Sequence, residues 1–562
     1  MSRSVRPELA PRNAAAAAGQ SQMHKLAILA ARVRALSGWR RLMLAVATGA
    51  VSILAMAPFF LWPVLFVTLP TLVWLIEGAR QNRGTRFAPA VVGWGFGFGF
   101  HVVGLYWLRE AFAVTAGTLE LLWPLAVLGL PAYLALFHAV AAAIAAAVPG
   151  SELRRTFALA LALAATEWLR GQLFTGFPWN ILGYALTYPL VLMQSASVIG
   201  IYGLTLIAVP LFAGPAVVLA AVGEAPAAPQ RPWLVAALLG LVPLALLAAF
   251  GAWRLSTPPP PFVEGVRLRL VQPSIPQRAK WQAERQIELF NRHLEVSGIG
   301  PAGAPDRMTG ITHVLWPEAA MPFQPLRYPQ VLAAIGEALP DGVHLLAGIL
   351  RAEPDLANPD KQNVYNSVAA FEDSGQPIAV YDKLHLVPFG EYLPFQATLE
   401  SIGLQSLTRQ RGGFASGKRP RPLLDVPGLP PVSVLICYEA VFPAEIVQGR
   451  QRPGLLLNLT NDGWFGNSTG PRQHHHQARL RAVEEGIPLV RVANNGISAA
   501  FDAYGRELVR IELDVAGVAD TGLPGVLPKP IYARFGNWGA LALWSAMLAA
   551  LLARRTRHFY VR

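Results

Sequence analysis

Long apolar stretches limit the possible folds of this chain more than any other feature of its sequence. A helix needs about twenty mostly apolar residues to cross the hydrocarbon core of a bilayer. With 53% hydrophobic and only 14% charged residues, the chain is richer in apolar side chains than an ordinary soluble protein. The sequence therefore predicts eight membrane spans, near residues 42–58, 61–77, 88–108, 121–148, 156–170, 190–221, 233–253 and 538–553.

Arginines between these stretches predict how the chain is oriented. They cluster before the first span, in alternate loops and after the last span, at Arg32, Arg34, Arg40, Arg41, Arg80, Arg83, Arg86, Arg154, Arg155, Arg231, Arg554, Arg555 and Arg557. Loops rich in Lys and Arg stay in the cytoplasm, whereas long segments cross largely regardless of charge. We therefore expect both termini in the cytoplasm. The same residues account for the net charge of +13, so we expect no nucleic-acid partner.

Composition divides the chain into four parts. Residues 1–39 lack a core pattern and are predicted to be a cytoplasmic N-terminal extension. Residues 40–253 hold seven spans, and residues 538–562 hold the eighth span and a cytoplasmic tail. Four prolines, Pro258–Pro261, indicate a stiff linker after the seventh span. Residues 254–537 are therefore predicted to form a separate domain on the other side of the membrane.

Segment 254–537 has the pattern of a soluble α/β domain. Short apolar runs typical of strands alternate with helical patterns. Their nearly continuous apolar character indicates strands that are covered on both faces of a sheet. The runs lie at 266–272, 312–318, 344–350, 378–383, 432–439, 454–462 and 488–495.

Three reactive side chains lie at the ends of three of these runs. Glu318 ends HVLWPE, Lys383 ends IAVYDK, and Cys437, the single cysteine of the chain, ends VSVLIC. Because ligands and chemistry collect at the carboxyl ends of strands in α/β folds, we expect these side chains to lie together. Taken singly, each also has a simpler interpretation: Glu318 as a surface carboxylate, Lys383 as a solvated strand end and Cys437 as a packed strand residue.

Together the three residues are suited to covalent acyl transfer. A thiol attacks as the thiolate, a nearby carboxylate can take its proton, and an ammonium can stabilise the thiolate and later an oxyanion. The segment that follows the cysteine, YEAVFPAEIV, is expected to begin a helix whose N-terminus favours the thiolate further. The acyl group would pass to sulfur as a thioester and then to a second nucleophile.

Sequence blocks around these residues resemble those of a known family. WPEAAMP, YDKLHLVPFGEY, ICYEAVFP and NDGWFG resemble the signatures of the nitrilase superfamily, at 316–322, 381–392, 436–443 and 461–466. Blocks in the membrane part, at 93–108 and 166–180, are more specifically similar to apolipoprotein N-acyltransferases of bacterial inner membranes. The resemblance covers nearly the whole chain apart from the N-terminal extension.

The resemblance implies an α/β fold, in which a nitrilase-like αββα sandwich domain is inserted between the transmembrane helices of an eight-span bundle. It implies that a fatty acyl chain moves from a membrane phospholipid, typically the sn-1 chain of phosphatidylethanolamine, to Cys437. The chain then passes to the α-amine of the N-terminal S-diacylglyceryl cysteine of an apolipoprotein. Neither metal nor cofactor is implied. We expect a monomer in the bacterial inner membrane with its catalytic domain on the periplasmic side.

The resemblance also suggests a role for each matching residue. Cys437 matches the nucleophile, Glu318 the general base and Lys383 the residue that supports the tetrahedral intermediate. The supporting matches are Glu391, a second acid beside the triad; Asn366, a polar residue near the base; Tyr438 and Glu439, which shape the site; and Trp281, on a mobile loop near the lipid entrance. Each residue also has a simpler interpretation. Glu391 is then an exposed loop acid, Asn366 a turn residue, Tyr438 and Glu439 buried neighbours without substrate contact, and Trp281 a helix-packing tryptophan.

Parts of the sequence are also compatible with two other functions and suggest one metal site. A membrane-tethered amidase or nitrilase would pass the same thioester to water, and the sequence blocks alone do not exclude hydrolysis. A transporter is also compatible with eight spans, but the sequence shows neither paired broken helices nor a ladder of charges through the membrane. His474, His475 and His476 resemble a metal tract, yet consecutive helical side chains diverge by about 100° and cannot all reach one ion.

Overall fold

A helical bundle and an α/β domain make up the protein. The computed structural model describes residues 10–81, 85–114, 118–223, 234, 237–298, 308–355, 362–401 and 413–553. Some of the arginines used to predict the orientation fall outside these described residues, namely Arg83, Arg231, Arg554, Arg555 and Arg557.

Each segment predicted to span the membrane contains a helix in its described residues. The bundle contains α1 Ala10–Ala35, α2 Gly38–Ser52, α3 Leu65–Gln81, α4 Ala88–Gly104, α5 Leu108–Ala113, α6 Trp123–Ala147, α7 Glu152–Arg170, α8 Leu190–Met193, α9 Ala196–Gly223 and α10 Val242–Ser256. The helices after the bundle are α11 Gln277–Lys280, α12 Gln286–Ser297, α13 Pro329–Ala338, α14 Gln396–Ser401, α15 Thr469–Glu485, α16 Ile531–Phe535 and α17 Trp538–Ala553.

Length and hydropathy separate the candidate spans into groups. Within the described parts of the chain, four helical segments are long and apolar enough to cross a bilayer, at Trp62–Gln81, Glu120–Ala147, Ala196–Ala220 and Ala237–Ser256. Two more are apolar but shorter, at Ala88–Gly104 and Trp538–Leu552. A membrane-embedded helical bundle is therefore confirmed, and the count of eight spans stays a prediction.

Glycines allow the helices of the bundle to pack closely. A Cβ atom on Gly99 of α4 would lie 1.9 Å from the carbonyl oxygen of Val46 in α2, and one on Gly93 would lie 2.4 Å from that of His138 in α6. Small residues are the usual means by which membrane helices approach at backbone distance. The glycine-rich block at 93–108 thus brings α4 against two neighbours.

The first helix of the bundle, α1, also packs closely against its neighbours. Ala30 and Val33 of α1 are buried in the same core as α3. A Cβ atom on Gly78 of α3 would lie 2.0 Å from the carbonyl oxygen of Arg34, so this contact depends on a glycine. The Arg34 guanidinium also pairs with Glu152 of α7 at 2.6 Å. The predicted N-terminal extension, residues 1–39, therefore packs against the other helices near its C-terminal end, although its sequence shows no core pattern.

The α/β domain contains two sheets. Its strands are β1 Phe262–Gln272, β2 His313–Leu315, β3 His344–Pro354, β4 Gln362–Phe371, β5 Pro377–Asp382, β6 Val432–Ile436, β7 Leu455–Thr460, β8 Leu489–Ala493, β9 Ser498–Phe501, β10 Glu507–Ile511 and β11 Gly517–Pro524. One sheet has the order β11-β1-β2-β3-β4-β5, and the other has the order β10-β9-β8-β7-β6. Both sheets mix parallel and antiparallel pairs, as in the β1–β2 and β1–β11 pairings.

Four layers result from the way these sheets are covered. Leu268 and Leu346 of the first sheet share one buried cluster with Val434 and Leu457 of the second, so the sheets pack face to face. Helices α12 and α13 cover the outer face of the first sheet. Helix α15 covers the outer face of the second. The predicted nitrilase-like αββα sandwich is therefore confirmed.

The domain is joined to the bundle at both ends and along one helix. Phe262, directly after the proline linker, pairs with Pro524 near the end of the domain, so the entering and leaving strands lie side by side. Helix α15 then contacts the bundle directly. Gln473 accepts a hydrogen bond from the indole of Trp179 at 2.7 Å, and His476 bonds to Thr187 at 2.7 Å. These contacts hold the sandwich against the bundle.

Candidate active site

Both sheets contribute to one buried cluster of reactive side chains. Glu318 lies three residues after β2, and Lys383 directly follows β5 in the same sheet. Cys437 directly follows β6 of the other sheet. Their exposed fractions are 7%, 1% and 7%, respectively. The face-to-face packing of the two sheets brings these strand ends together.

Lys383 lies between two carboxylates. Its Nζ is 2.9 Å from Oε1 of Glu391 and 3.4 Å from Oε1 of Glu318. Burial by itself would lower the pKa of Lys383, but the charges of Glu391 and Glu318 outweigh it and raise the pKa above its usual range. The lysine is therefore a permanently charged ammonium in this cluster.

Hydrogen-bond donors orient both carboxylates. Nδ2 of Asn366 lies 2.7 Å from Oε1 of Glu318 and 3.0 Å from Oε1 of Glu391. The other oxygen of Glu318 accepts from the backbone N–H of Asn461 at 2.8 Å. The other oxygen of Glu391 accepts from the backbone N–H of Val387 at 2.9 Å. Asn366 thus bridges the two acids on either side of the lysine.

Cys437 lies at a sharp turn of the backbone. Its φ of 50° is in the left-handed region, which costs a non-glycine residue about 1–3 kcal/mol. Its carbonyl oxygen accepts from Nε2 of His474 at 3.0 Å and from Nδ2 of Asn458 at 3.4 Å. The helix expected after the cysteine is not an α-helix, because residues Cys437–Val441 form a five-residue 3-10 turn.

The thiol of Cys437 is held in its neutral form. Burial raises its pKa, and the charge of Glu318 raises it further, while Lys383 acts in the opposite direction. The residues after the cysteine form only a 3-10 turn, and burial outweighs the stabilisation of the thiolate expected from a helix N-terminus there. A thiol in this state can act as a nucleophile only if a base beside it removes its proton.

Glu439 connects the lysine and cysteine turns. Its carboxylate accepts from the backbone N–H groups of Leu384 at 2.9 Å and Ile436 at 2.7 Å, and it pairs with Arg421 at 3.2 Å. Burial by itself would raise the pKa of Glu439, but Arg421 and the Ile436 N–H lower it. Glu439 is therefore an ionised structural link between the two sheets.

Tyr438 and Trp281 lie at the edges of the buried cluster. The hydroxyl of Tyr438 donates to the carbonyl oxygen of Gly176 at 3.0 Å, in the loop between α7 and α8. Its ring packs against Phe442 with centroids 4.9 Å apart. Trp281 follows α11 and is 38% exposed, so its indole lies at the surface of the domain. Tyr438 therefore joins the cluster to the bundle.

Several residues of the cluster are not evident from the sequence. Nζ of Lys280 donates to the carbonyl oxygen of Glu318 at 2.7 Å, and this lysine directly precedes Trp281. Asn461 and Asp462 open the NDGWFG block, which is the signal that points to them. His474 is the first of three consecutive histidines. Arg421 lies in a segment without a distinctive pattern, so nothing in the sequence indicates its contact with Glu439.

The three consecutive histidines of α15 have separate partners. His474 bonds to Asp462 at 2.9 Å, whereas His475 bonds to Glu507 at 3.0 Å and His476 bonds to Thr187 on the bundle. This divergence matches the helical spacing of side chains.

One group in the described parts of the chain has ligand atoms close enough for a metal ion. It comprises Cys437, Asp462 and His474, whose atoms lie within 4.8 Å of one another. The guanidinium of Arg491 already binds Asp462 there. A cation would have to displace this guanidinium and occupy the sulfur, so the group fits a metal poorly.

Comparison with known proteins identifies the family. Residues 48–214 match the apolipoprotein N-acyltransferase N-terminal domain, and residues 267–523 match the carbon-nitrogen hydrolase domain. An apolipoprotein N-acyltransferase of Rhodopseudomonas palustris is 47% identical over 522 residues, which cover 92% of this chain and 96% of that protein. One from Brucella suis is 42% identical over 554 residues, with 95% and 99% covered. A solved amidase from Nesterenkonia sp. is 18% identical, with a TM-score of 0.31, and the match covers 51% of this chain and 98% of the amidase.

The match to these relatives runs through both structural parts of the protein. It includes the helical bundle and the sandwich domain, and it extends over almost the full length of the relatives. The chain therefore belongs to the apolipoprotein N-acyltransferase family.

Proposed function

We propose that the protein transfers a fatty acyl chain from a membrane phospholipid to the α-amine of the N-terminal S-diacylglyceryl cysteine of an apolipoprotein. Membership of the family supports this reaction. The observation that carries its chemistry is the buried cluster of Glu318, Lys383 and Glu391 beside the single thiol, Cys437. A phosphatidylethanolamine-like lipid is the proposed donor, through its sn-1 chain.

In the first half-reaction, Cys437 takes the acyl group. The Glu318 carboxylate accepts the thiol proton while the sulfur attacks the ester carbonyl, and the oxyanion that forms is stabilised by the Lys383 ammonium. The ester C–O bond then breaks, and the protonated Glu318 returns its proton to the departing glycerol oxygen. The products are a thioester on Cys437 and a lysophospholipid.

In the second half-reaction, the acceptor amine collects the acyl group. The neutral α-amine attacks the thioester carbonyl, and Glu318 takes a proton from the nitrogen. Collapse of the tetrahedral intermediate breaks the C–S bond, and the proton passes from Glu318 to the sulfur. The protein is thereby restored, and the apolipoprotein gains an amide-linked acyl chain.

The supporting residues have structural tasks in this proposal. Glu391 and Asn366 orient Lys383 and Glu318 through the hydrogen bonds described above. Glu439 sets the distance between the lysine and cysteine turns. Tyr438 connects the site to the bundle, and the exposed indole of Trp281 is suited to contact lipid.

The proposed location is the bacterial inner membrane, with the catalytic domain on the periplasmic side and both termini in the cytoplasm. We propose seven spans within 40–253, the catalytic domain at 254–537 and the eighth span within 538–562. The arginine-rich loops support this orientation. The side-by-side ends of the domain, which lead to the apolar helices α10 and α17, also support it. A monomer is sufficient, because one chain supplies all the residues of the proposed site.

Mass analysis of the intermediate tests the reaction. The purified protein is incubated with phosphatidylethanolamine alone and quenched with acid, and the peptide that contains Cys437 is weighed. We expect the mass of one acyl chain on Cys437, its release by hydroxylamine, and no adduct in Cys437→Ala. An active preparation without this adduct would overturn the thioester route. With a diacylated peptide present, free fatty acid as the sole acyl product would favour the hydrolase instead.

The single cysteine makes a clean test of orientation possible. In a Cys437→Ala background, Ser374→Cys labels an exposed turn of the catalytic domain, and Ser151→Cys labels the exposed loop before α7. A membrane-impermeant maleimide applied to intact spheroplasts should label the first variant, and it should label the second only after lysis. The opposite pattern would contradict the periplasmic assignment.

A further inference from the structure

We propose that Lys280 is a positioning residue for acyl transfer, which holds the main chain of the base and places a second cation beside the nucleophile. This inference rests on the proposed function, in which Glu318 is the base and Cys437 the nucleophile. Lys280 is separate from the Glu318–Lys383–Cys437 triad. It lies at the end of the short helix α11, immediately before Trp281.

The geometry of Lys280 differs from that of an ordinary surface lysine. Its side chain is buried, with 1% of the residue exposed, and its Nζ donates to the carbonyl oxygen of Glu318 at 2.7 Å. Burying an ammonium is costly unless its charge is compensated nearby. The compensation comes from the site itself, because the Glu318 carboxylate opposes the effect of burial on the charge of Lys280. The side chain therefore belongs to the electrostatics of the cluster.

A second contact joins the same segment to the base. Oε1 of Gln277 accepts from Nδ2 of Asn461 at 2.8 Å, and the backbone N–H of Asn461 donates to the Glu318 carboxylate at 2.8 Å. Lys280 thus holds the main chain of Glu318, while Gln277 acts on its carboxylate through Asn461. Lys280 and Gln277 are therefore connected to the main chain and the side chain of the base, respectively.

The charge of Lys280 is lost at lower pH than that of an ordinary lysine. Burial lowers its pKa to about 8, against the opposing effect of the Glu318 carboxylate. His293 of α12 also acts electrostatically with Lys280, but burial lowers the pKa of His293 to about 3, so it stays neutral. Lys280 is therefore positively charged below its pKa and loses this charge as the pH rises above it. Its support for a developing thiolate or oxyanion should weaken in the same direction.

Single-turnover acylation of Cys437 tests this role. The full-length protein in mixed micelles with phosphatidylethanolamine is compared with Lys280→Met and Lys280→Gln, and Arg278→Met serves as the matched control. Arg278 lies on the same short helix but is exposed. We measure the rate at saturating lipid, the lipid concentration for half-maximal rate, and the dependence on pH from about 6 to about 9 around the lysine pKa.

We expect Lys280→Met to acylate roughly 10- to 100-fold more slowly at saturating lipid, because a small displacement of a catalytic group has effects of this size. The lipid concentration for half-maximal rate should change little. The wild-type rate should decline above about pH 8, where Lys280 loses its charge. This decline should be absent in both the Met and Gln variants, since neither side chain can carry the charge. Arg278→Met should retain the wild-type rate and the wild-type pH dependence.

Other results would overturn the inference. A folded Lys280→Met protein that acylates at the wild-type rate, or that differs only in half-maximal lipid concentration, would exclude a positioning role. If Lys280→Met does not fold, Lys280→Gln is judged by the same criteria. A wild-type protein that forms no acyl adduct would instead contradict the proposed function. If wild type and Lys280→Met form the acyl adduct equally fast, the inference about Lys280 fails and the proposed function stands.

Discussion

The backbone N–H of Leu384 donates to the carboxylate of Glu439 at 2.9 Å, and this hydrogen bond joins the lysine turn to the cysteine turn. Leu384 follows Lys383 at the end of a strand in one sheet. Glu439 follows Cys437 by two residues, after a strand of the other sheet, and it also accepts from the N–H before the cysteine. The distance between the ammonium and the thiol therefore depends on a buried acid that is outside the proposed triad.

Glu439→Gln should weaken both the fold and the reaction. The substitution keeps the shape of the side chain but leaves the buried Arg421 without its counter-charge, which costs about 3 kcal/mol of unfolding free energy. Acylation of Cys437 should slow as the two turns separate. Denaturation in detergent and the single-turnover rate measure these effects. Glu507→Gln, at a partly exposed pair, is the control and should cost less than about 1 kcal/mol. Equal losses of unfolding free energy and of acylation rate in Glu439→Gln and Glu507→Gln would contradict this explanation.

Gly348→Ala should displace Glu318, the proposed base. A Cβ atom at this position would lie 2.4 Å from both the carbonyl oxygen of Pro317 and the nitrogen of Ala319, which flank Glu318. Since these neighbours are backbone atoms, the Glu318 turn must move, and the acylation rate should fall roughly 100-fold. Gly517→Ala is the matched control, because its Cβ would meet no atom within 4 Å. A wild-type rate in Gly348→Ala would show that the turn tolerates displacement.

Asn366→Asp tests the electrostatics of the cluster. The asparagine amide donates to two carboxylates, and a third carboxylate there would repel both and compete for Lys383. We expect acylation to fall roughly 10- to 100-fold near neutral pH. Part of this loss should be recovered as the pH falls and the introduced carboxyl is protonated. Asn363→Asp, the same change earlier on β4, should leave the rate unaltered. A variant whose relative rate falls further at low pH would refute the explanation.

His474→Gln should slow the reaction more than His475→Gln. Nε2 of His474 contacts the carbonyl oxygen of Cys437 and helps to hold the left-handed backbone at this residue. Loss of this contact should reduce the single-turnover rate about tenfold. His475 bonds to Glu507 instead, so its replacement should affect mainly stability. Comparable rates in the two variants would mean that the turn at Cys437 needs no support from His474.

Stability should fall in acid because of Asp462. Burial by itself would raise the pKa of Asp462, but Arg491 and His474 hold it well below its usual range. An aspartate in the unfolded chain is protonated at about pH 4, whereas Asp462 in the folded protein stays ionised to a lower pH. The contribution of Asp462 is therefore complete above this pH and is lost progressively below it. Denaturation at several pH values should show this loss, and Asp462→Asn should show a shallower dependence in the same range.

The sequence alone determined the classes of structure and the positions of the strand ends. Apolar stretches predict the helices of the bundle because an apolar segment of sufficient length has few alternatives to a helix in lipid. Apolar runs in 254–537 predict the strands, and they place Glu318, Lys383 and Cys437 at strand ends. These are local properties, since hydrophobicity and its period depend on neighbours in the chain.

Only the tertiary structure decided how those ends meet and what surrounds them. Lys280 contacts Glu318 across 38 positions of the chain, and Leu384 contacts Glu439 across 55. The turn after Cys437 is a short 3-10 element instead of the expected helix, and burial keeps its thiol protonated. Such features depend on the packing of two sheets and on the loss of solvent, and a local sequence pattern contains neither.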